Sequence, residues 1–123
     1  CSMNVGVRVT PKPMSEGLKR NVERVREIFE QGLAQFGGPW LAGANFSAVD
    51  AFYAPVAFRI RTYGLDVGKG QAWVDHILAH PAMVDWEKQA LAEEWREEAH
   101  EAELAAAGVI TADYRNLPAA DLA

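Results

Sequence analysis

The chain has 123 residues, half of them apolar and 24% charged, with a formal net charge of −5. That length and composition suit one domain with a packed core. The acidic balance, with basic residues interleaved among acidic ones, excludes the phosphate-neutralising face of a nucleic-acid binder and any attraction to anionic membrane.

No stretch offers the roughly eighteen continuous apolar residues that span a bilayer. No basic-then-apolar leader is visible. The single cysteine, Cys1, cannot close an internal disulfide, which fits a reducing cytoplasm. Because the chain opens on Cys1, it is read as a mature fragment, an artificially cut piece, or the second part of a longer polypeptide. Residues 1–9, CSMNVGVRV, are expected to be the end of a truncated first helix, and the proline-bearing VTPKPM that overlaps and follows them a loop.

From Ser15 the pattern becomes clear. Leu18, Val22, Val25, Ile28, Phe29, Leu33 and Phe36 fall at steps of three and four, with Lys19, Glu23, Arg26, Glu27 and Glu30 between them. This predicts an amphipathic helix, capped by Ser15 and stopped by Gly37-Gly38-Pro39. Ser47 to about Tyr63 predicts a second helix of another kind. Val49, Phe52, Tyr53, Val56, Phe58 and Ile60 point almost everywhere, so this central helix is expected to be buried all round. Pro55 lies inside it, Arg59 and Arg61 reach solvent near its end, and Gly64 stops it. A third helix is predicted from about Lys69 to Ala79, with Trp73, Ile77 and Leu78 inward. A fourth opens at Pro81 and carries Val84, Leu91 and Trp95. Residues 96–123 read as a solvated, Glu-rich helix and an irregular tail. No period-two strand is found, and the fold class is all-α.

Ser47 and Asp50 stand three apart in an otherwise apolar stretch. In S-x-x-D the hydroxyl can accept from the N–H of Asp50 while the carboxylate accepts from the N–H of Ser47. This capping box satisfies two orphan donors of a helix start. A nucleophilic serine would need a base and a strained elbow such as G-x-S-x-G, which is absent. His76 and His80 have the i, i+4 spacing of a metal pair, but no H-E-x-x-H pattern accompanies them, and no metal is expected. Cys1 lacks an identifiable activating neighbour. The four tryptophans read as packing, and the Glu run from Glu93 to Glu103 as a solvated face.

Taken together, Leu41-Ala-Gly43, Phe46-Ser-Ala-Val-Asp50 and Pro55 resemble the signature of the C-terminal helical domain of cytosolic glutathione S-transferases, in a form similar to bacterial members. Gly43 falls on the turn, Ser47 and Asp50 on the capping box, and Phe46 on the N′ position of a hydrophobic staple whose N4 partner is here only Ala51. ILAHPAMVDW adds to the likeness, which runs over about residues 14 to 95. The resemblance implies a single helical domain of that family over residues 1–123. It would be joined in the full-length protein to a thioredoxin-like N-terminal domain that binds the co-substrate glutathione and supplies the catalytic residue. The implied activity is transfer of glutathione to a small electrophilic substrate by a cytoplasmic homodimer acting in detoxification. This chain would give part of the electrophile wall and of the dimer surface, and would be inactive alone. Met3, Asn4, Tyr63 and Trp95 are the candidate substrate-binding residues, none of them carried over from a family motif. The alternative is a non-catalytic interaction module of the same fold.

Overall fold

A computed structural model describes residues 1–115 of the chain. Its largest element is α1, Glu16–Phe36. Ser15 caps it, its hydroxyl accepting the Leu18 N–H at 3.2 Å, and Gly37 ends it in the left-handed region. Phe29 alone on this helix is fully buried, while Val25, Ile28 and Leu33 are half-buried against the core. Phe36, expected inward, lies beyond the ridge that meets the next helix and is 52% exposed.

The turn Trp40–Gly43 follows, closed by Trp40 N–H to Gly43 C=O at 3.0 Å and Gly43 N–H to Trp40 C=O at 3.3 Å. Gly43 adopts φ 131°, a conformation that side chains disfavour. The turn lies against α1 at Gly32, where a Cβ would stand 2.6 Å from the Leu41 carbonyl oxygen. Helix α2, Ala48–Tyr63, then meets α1 where the Tyr53 ring stands edge-on to Phe29 at 5.5 Å. It is central but not buried all round. Ala54, Ala57, Phe58 and Ile60 face inward, whereas Phe52 is 83% exposed and Ala51 and Arg59 are open to solvent. The neighbours of α2 do not close around it, so the stripe at Ala51, Phe52 and Arg59 stays uncovered. Arg61 does not reach freely into solvent either. Its guanidinium grips Glu87 of the fourth helix in two bonds of 2.6 and 3.2 Å.

A 3-10 turn, Gly68–Gly70, leads into α3, Gln71–Leu78, so the third helix is regular over a shorter span than the spacing predicted. Glu30 of α1 holds the turn by accepting the Lys69 N–H at 3.0 Å. Helix α4, Pro81–Ala92, starts on an N-cap His80 whose Nδ1 accepts the Ala82 N–H at 3.2 Å. No residue of α4 is fully buried; Val84 is 51% exposed, and Trp95 lies past its end. Phe29, Trp40, Leu41, Ala54, Ala57, Ile60, Trp73 and Ile77 form the main core, with the Phe29 and Trp73 rings 4.5 Å apart.

Both ends of the chain differ from expectation. Residues 1–9 are not the end of a helix. Val7–Pro11 form strand β1, paired antiparallel with β2, Gly108–Asp113. The latter falls where an irregular tail was expected. Between α4 and β2 lies α5, Glu98–Ala107, whose Leu104 is fully buried. Val7, Val9, Tyr63 and Leu104 make a second small core. The physical reason is pairing: Val7 and Val9 gain their backbone partners from β2, about a hundred residues away, so the short alternation Val5, Val7, Val9 becomes a strand only through a long-range contact. Among the described residues the fold is therefore mostly α with one two-stranded sheet. Residues 116–123 of the expected tail lie outside the described residues. No helix among the described residues is long and apolar enough to cross a membrane.

Candidate functional site

The polar pair inside the apolar stretch is a structural centre. Asp50, at the third position of α2, is fully buried. Its Oδ2 accepts the Ser47 N–H at 2.9 Å, which is the carboxylate half of the capping box. The Ser47 hydroxyl also leans to Oδ2, at 3.3 Å. Oδ1 looks the other way and accepts the Leu41 N–H at 3.0 Å and the Trp73 indole N–H at 2.8 Å. Four donors thus converge on one carboxylate from the turn, the helix start and α3. Such a group accepts and does not act as a base, since both oxygens are filled.

The base that a nucleophilic Ser47 would need is not in place. His80 spends Nδ1 on its cap, and His76 lies on the Trp40 ring with centroids 4.3 Å apart. Phe46 packs edge-on to Trp40 at 5.2 Å and stacks on His80 at 5.0 Å, so its ring contacts are with the turn and the N-cap of α4. Ala51 at the N4 position is too small to reach it, which replaces the staple by an aromatic cluster. Among the described residues no three His, Cys, Asp or Glu side chains stand together as metal ligands.

A cleft of about 380 Å³ lies elsewhere, between the N-terminal segment, α4, the 93–97 connection and α5. Met3, Asn4 and Trp95 line it together, although they come from opposite ends of the sequence. Tyr63 does not. It is 1% exposed, and its hydroxyl donates to the Ser2 carbonyl at 2.7 Å, while burial pushes its pKa up. Its neighbour Thr62 donates to the Asn4 carbonyl at 2.6 Å. The end of α2 thereby holds the Ser2–Asn4 wall from below. From α5, Glu103 accepts the Ser2 hydroxyl, and Glu101 accepts the Asn4 amide at 3.5 Å.

Residues without a local signal complete the lining. Trp86, on α4, sits edge-on to Phe58 at 5.2 Å and leaves 39% of its surface exposed. Arg115, past β2, donates Nη1 to Glu101 at 2.6 Å and Nε and Nη2 to Asp113 at 2.9 and 2.8 Å. The bonds to Asp113 and then Glu101 raise the Arg115 pKa, and the bond from the Arg115 side chain holds the Asp113 carboxyl below the usual carboxylate range. Glu97 caps α5, accepting the His100 N–H at 2.8 Å. The β1–β2 pairing, with Glu101 bonding both residues, brings Arg115 to the same cleft as Asn4, which is why sequence spacing does not disclose it. The cleft can hold a molecule with an apolar ring against two indoles and polar groups at its rim.

A family model described as glutathione S-transferase, C-terminal domain, matches residues 15–99. No curated protein and no solved structure matches the chain.

Proposed function

The chain belongs to the glutathione S-transferase C-terminal domain family, and from that premise we propose that it is the helical half of an enzyme that transfers glutathione to an electrophile. In this reading the Met3–Asn4 wall and Trp95 contact the electrophile. A thioredoxin-like domain binds glutathione and supplies the group that hydrogen-bonds and lowers the pKa of the thiol. The observation that carries the reading is the convergence of Met3, Asn4 and Trp95 on one cleft beside two exposed indole faces. An electrophile seated there brings no catalytic group from this chain into play, so the helical domain binds and orients while the bond-forming chemistry belongs to its partner. The exposed Phe36 and Phe52 offer apolar surface for that domain or for the second subunit of a homodimer. A cytoplasmic setting accords with the one unpaired, exposed cysteine.

The test uses the full-length protein and this chain side by side. Full-length protein should be retained on immobilised glutathione and should conjugate 1-chloro-2,4-dinitrobenzene, while the 123-residue chain should do neither. A full-length protein with neither property would leave the non-catalytic interaction module as the better reading.

A further inference from the structure

We propose that the cleft takes an organic cation with an apolar body, of the arylalkylammonium class. The inference rests on the assignment of this cleft to the substrate, and it names the substrate's charge. Two observations meet there. The first is aromatic surface: Trp95 is 72% exposed and Trp86 39%, and both line the cleft. An indole face attracts a cation through its quadrupole as well as offering contact area.

The second is the balance of charge. Glu93, Glu97 and Glu101 line the cleft against Arg96 and Arg115. The side chain of Arg115 is only 12% exposed, and each of its three nitrogens donates to Asp113 or Glu101. The two carboxylates already offset its charge in a fork geometry that suits them, which weakens its pull on an incoming anion. Arg96 donates to the backbone carbonyls of Glu93 and Trp95, at 3.0 and 3.3 Å. Behind the lining stand two further carboxylates, Asp113 on Arg115 and Glu103 on Ser2. The wall is therefore negative on balance, and its cations are turned toward protein acceptors. Screening weakens charge at an open cleft, so the indoles supply most of the contact and the carboxylates select the sign.

The test is a titration of the 123-residue chain, without glutathione, followed by the NMR signals of the Trp86 and Trp95 indole N–H groups. Benzyltrimethylammonium, its neutral isostere neopentylbenzene and phenylacetate are the probes. The cation should move both signals and bind about fivefold or more tighter than the neutral probe, with phenylacetate weakest. Trp95→Ala, at an exposed position outside the core, should weaken the cation by about fivefold. Glu97→Gln keeps an acceptor for the His100 N–H but removes a charge. It should weaken the cation by roughly two- to threefold and leave the neutral probe unchanged. Equal affinity for the three probes, no saturable binding, or shifts that bypass Trp86 and Trp95 would overturn the proposal. Such a failure leaves glutathione transfer to its own assay. Conversely, a full-length protein that prefers the cation but transfers no glutathione loses only the transferase reading.

Discussion

Asp50 Oδ1 accepts the indole N–H of Trp73 at 2.8 Å, which ties the first turn of α2 to α3 inside the core. The Trp73 ring is fully buried beside Phe29, so water cannot replace either partner. A helix cap has here been extended into a tertiary joint. The same carboxylate satisfies the start of its own helix, the backbone of the preceding turn and a side chain of the next helix.

Trp73→Phe isolates the joint. It removes the donor and part of the ring while Leu41 N–H still occupies Oδ1. We expect a loss of about 2–3 kcal/mol, combining a hydrogen bond to a charged group with a small cavity. Chemical denaturation followed by far-UV circular dichroism measures it. A loss of a few tenths would mean that the indole N–H contributes little.

What the sequence disclosed and what it hid divide along the same line. The Ser47–Asp50 box and the Ser15 cap are local devices, with donors and acceptors within three residues, and both were legible. The bonds from Asp50 to Leu41 and Trp73 depend on tertiary approach and left no spacing to read. Phe52 shows the opposite case: an apolar residue on an apolar helix reads as inward, but the neighbours leave that stripe open. Val5, Val7 and Val9 alternate, but over too short a run to establish a strand alone, and the partners lie near the other end of the chain. For the cleft, Met3, Asn4 and Trp95 were singled out, whereas Trp86 looked like core and Arg115 like tail.

Tyr63→Phe probes the support beneath the cleft wall. The change keeps the ring in the small core with Val7, Val9 and Leu104 but leaves the Ser2 carbonyl without its donor. A loss of about 1 kcal/mol is expected. Hydrogen exchange should rise in residues 1–6 more than in α1. An unchanged exchange pattern would mean that the hydroxyl does not anchor this segment.

Asp113 gives a pH dependence with a definite sign. Its folded pKa is lowered, chiefly by the hydrogen bond from Arg115, so its contribution is present above the unfolded value of 3.8 and is lost as pH falls through the lower folded value. Thermal midpoints measured from about pH 5 downward should fall less steeply in Asp113→Asn than in the parent chain. Parallel curves for the two proteins would remove Asp113 from the account. Its partial exposure keeps the effect small.

Phe52→Ser separates the chain from its proposed assembly. At 83% exposure the ring holds little of the core, so the stability of the 123-residue chain should change by less than about 0.5 kcal/mol. In the full-length protein, where a thioredoxin-like domain or second subunit is proposed to cover this stripe, the thermal midpoint should drop. Equal behaviour in both contexts would place the covered surface elsewhere.

Equilibrium urea unfolding of Asp50→Ala tests the central claim, that this buried carboxylate is a structural joint and not a catalytic group. The substitution strips the acceptor from the N–H groups of Leu41, Ser47 and Trp73 at once. The midpoint should fall with little change in slope, and the stability lost should be about 3–5 kcal/mol. A midpoint equal to that of the parent chain would contradict the account.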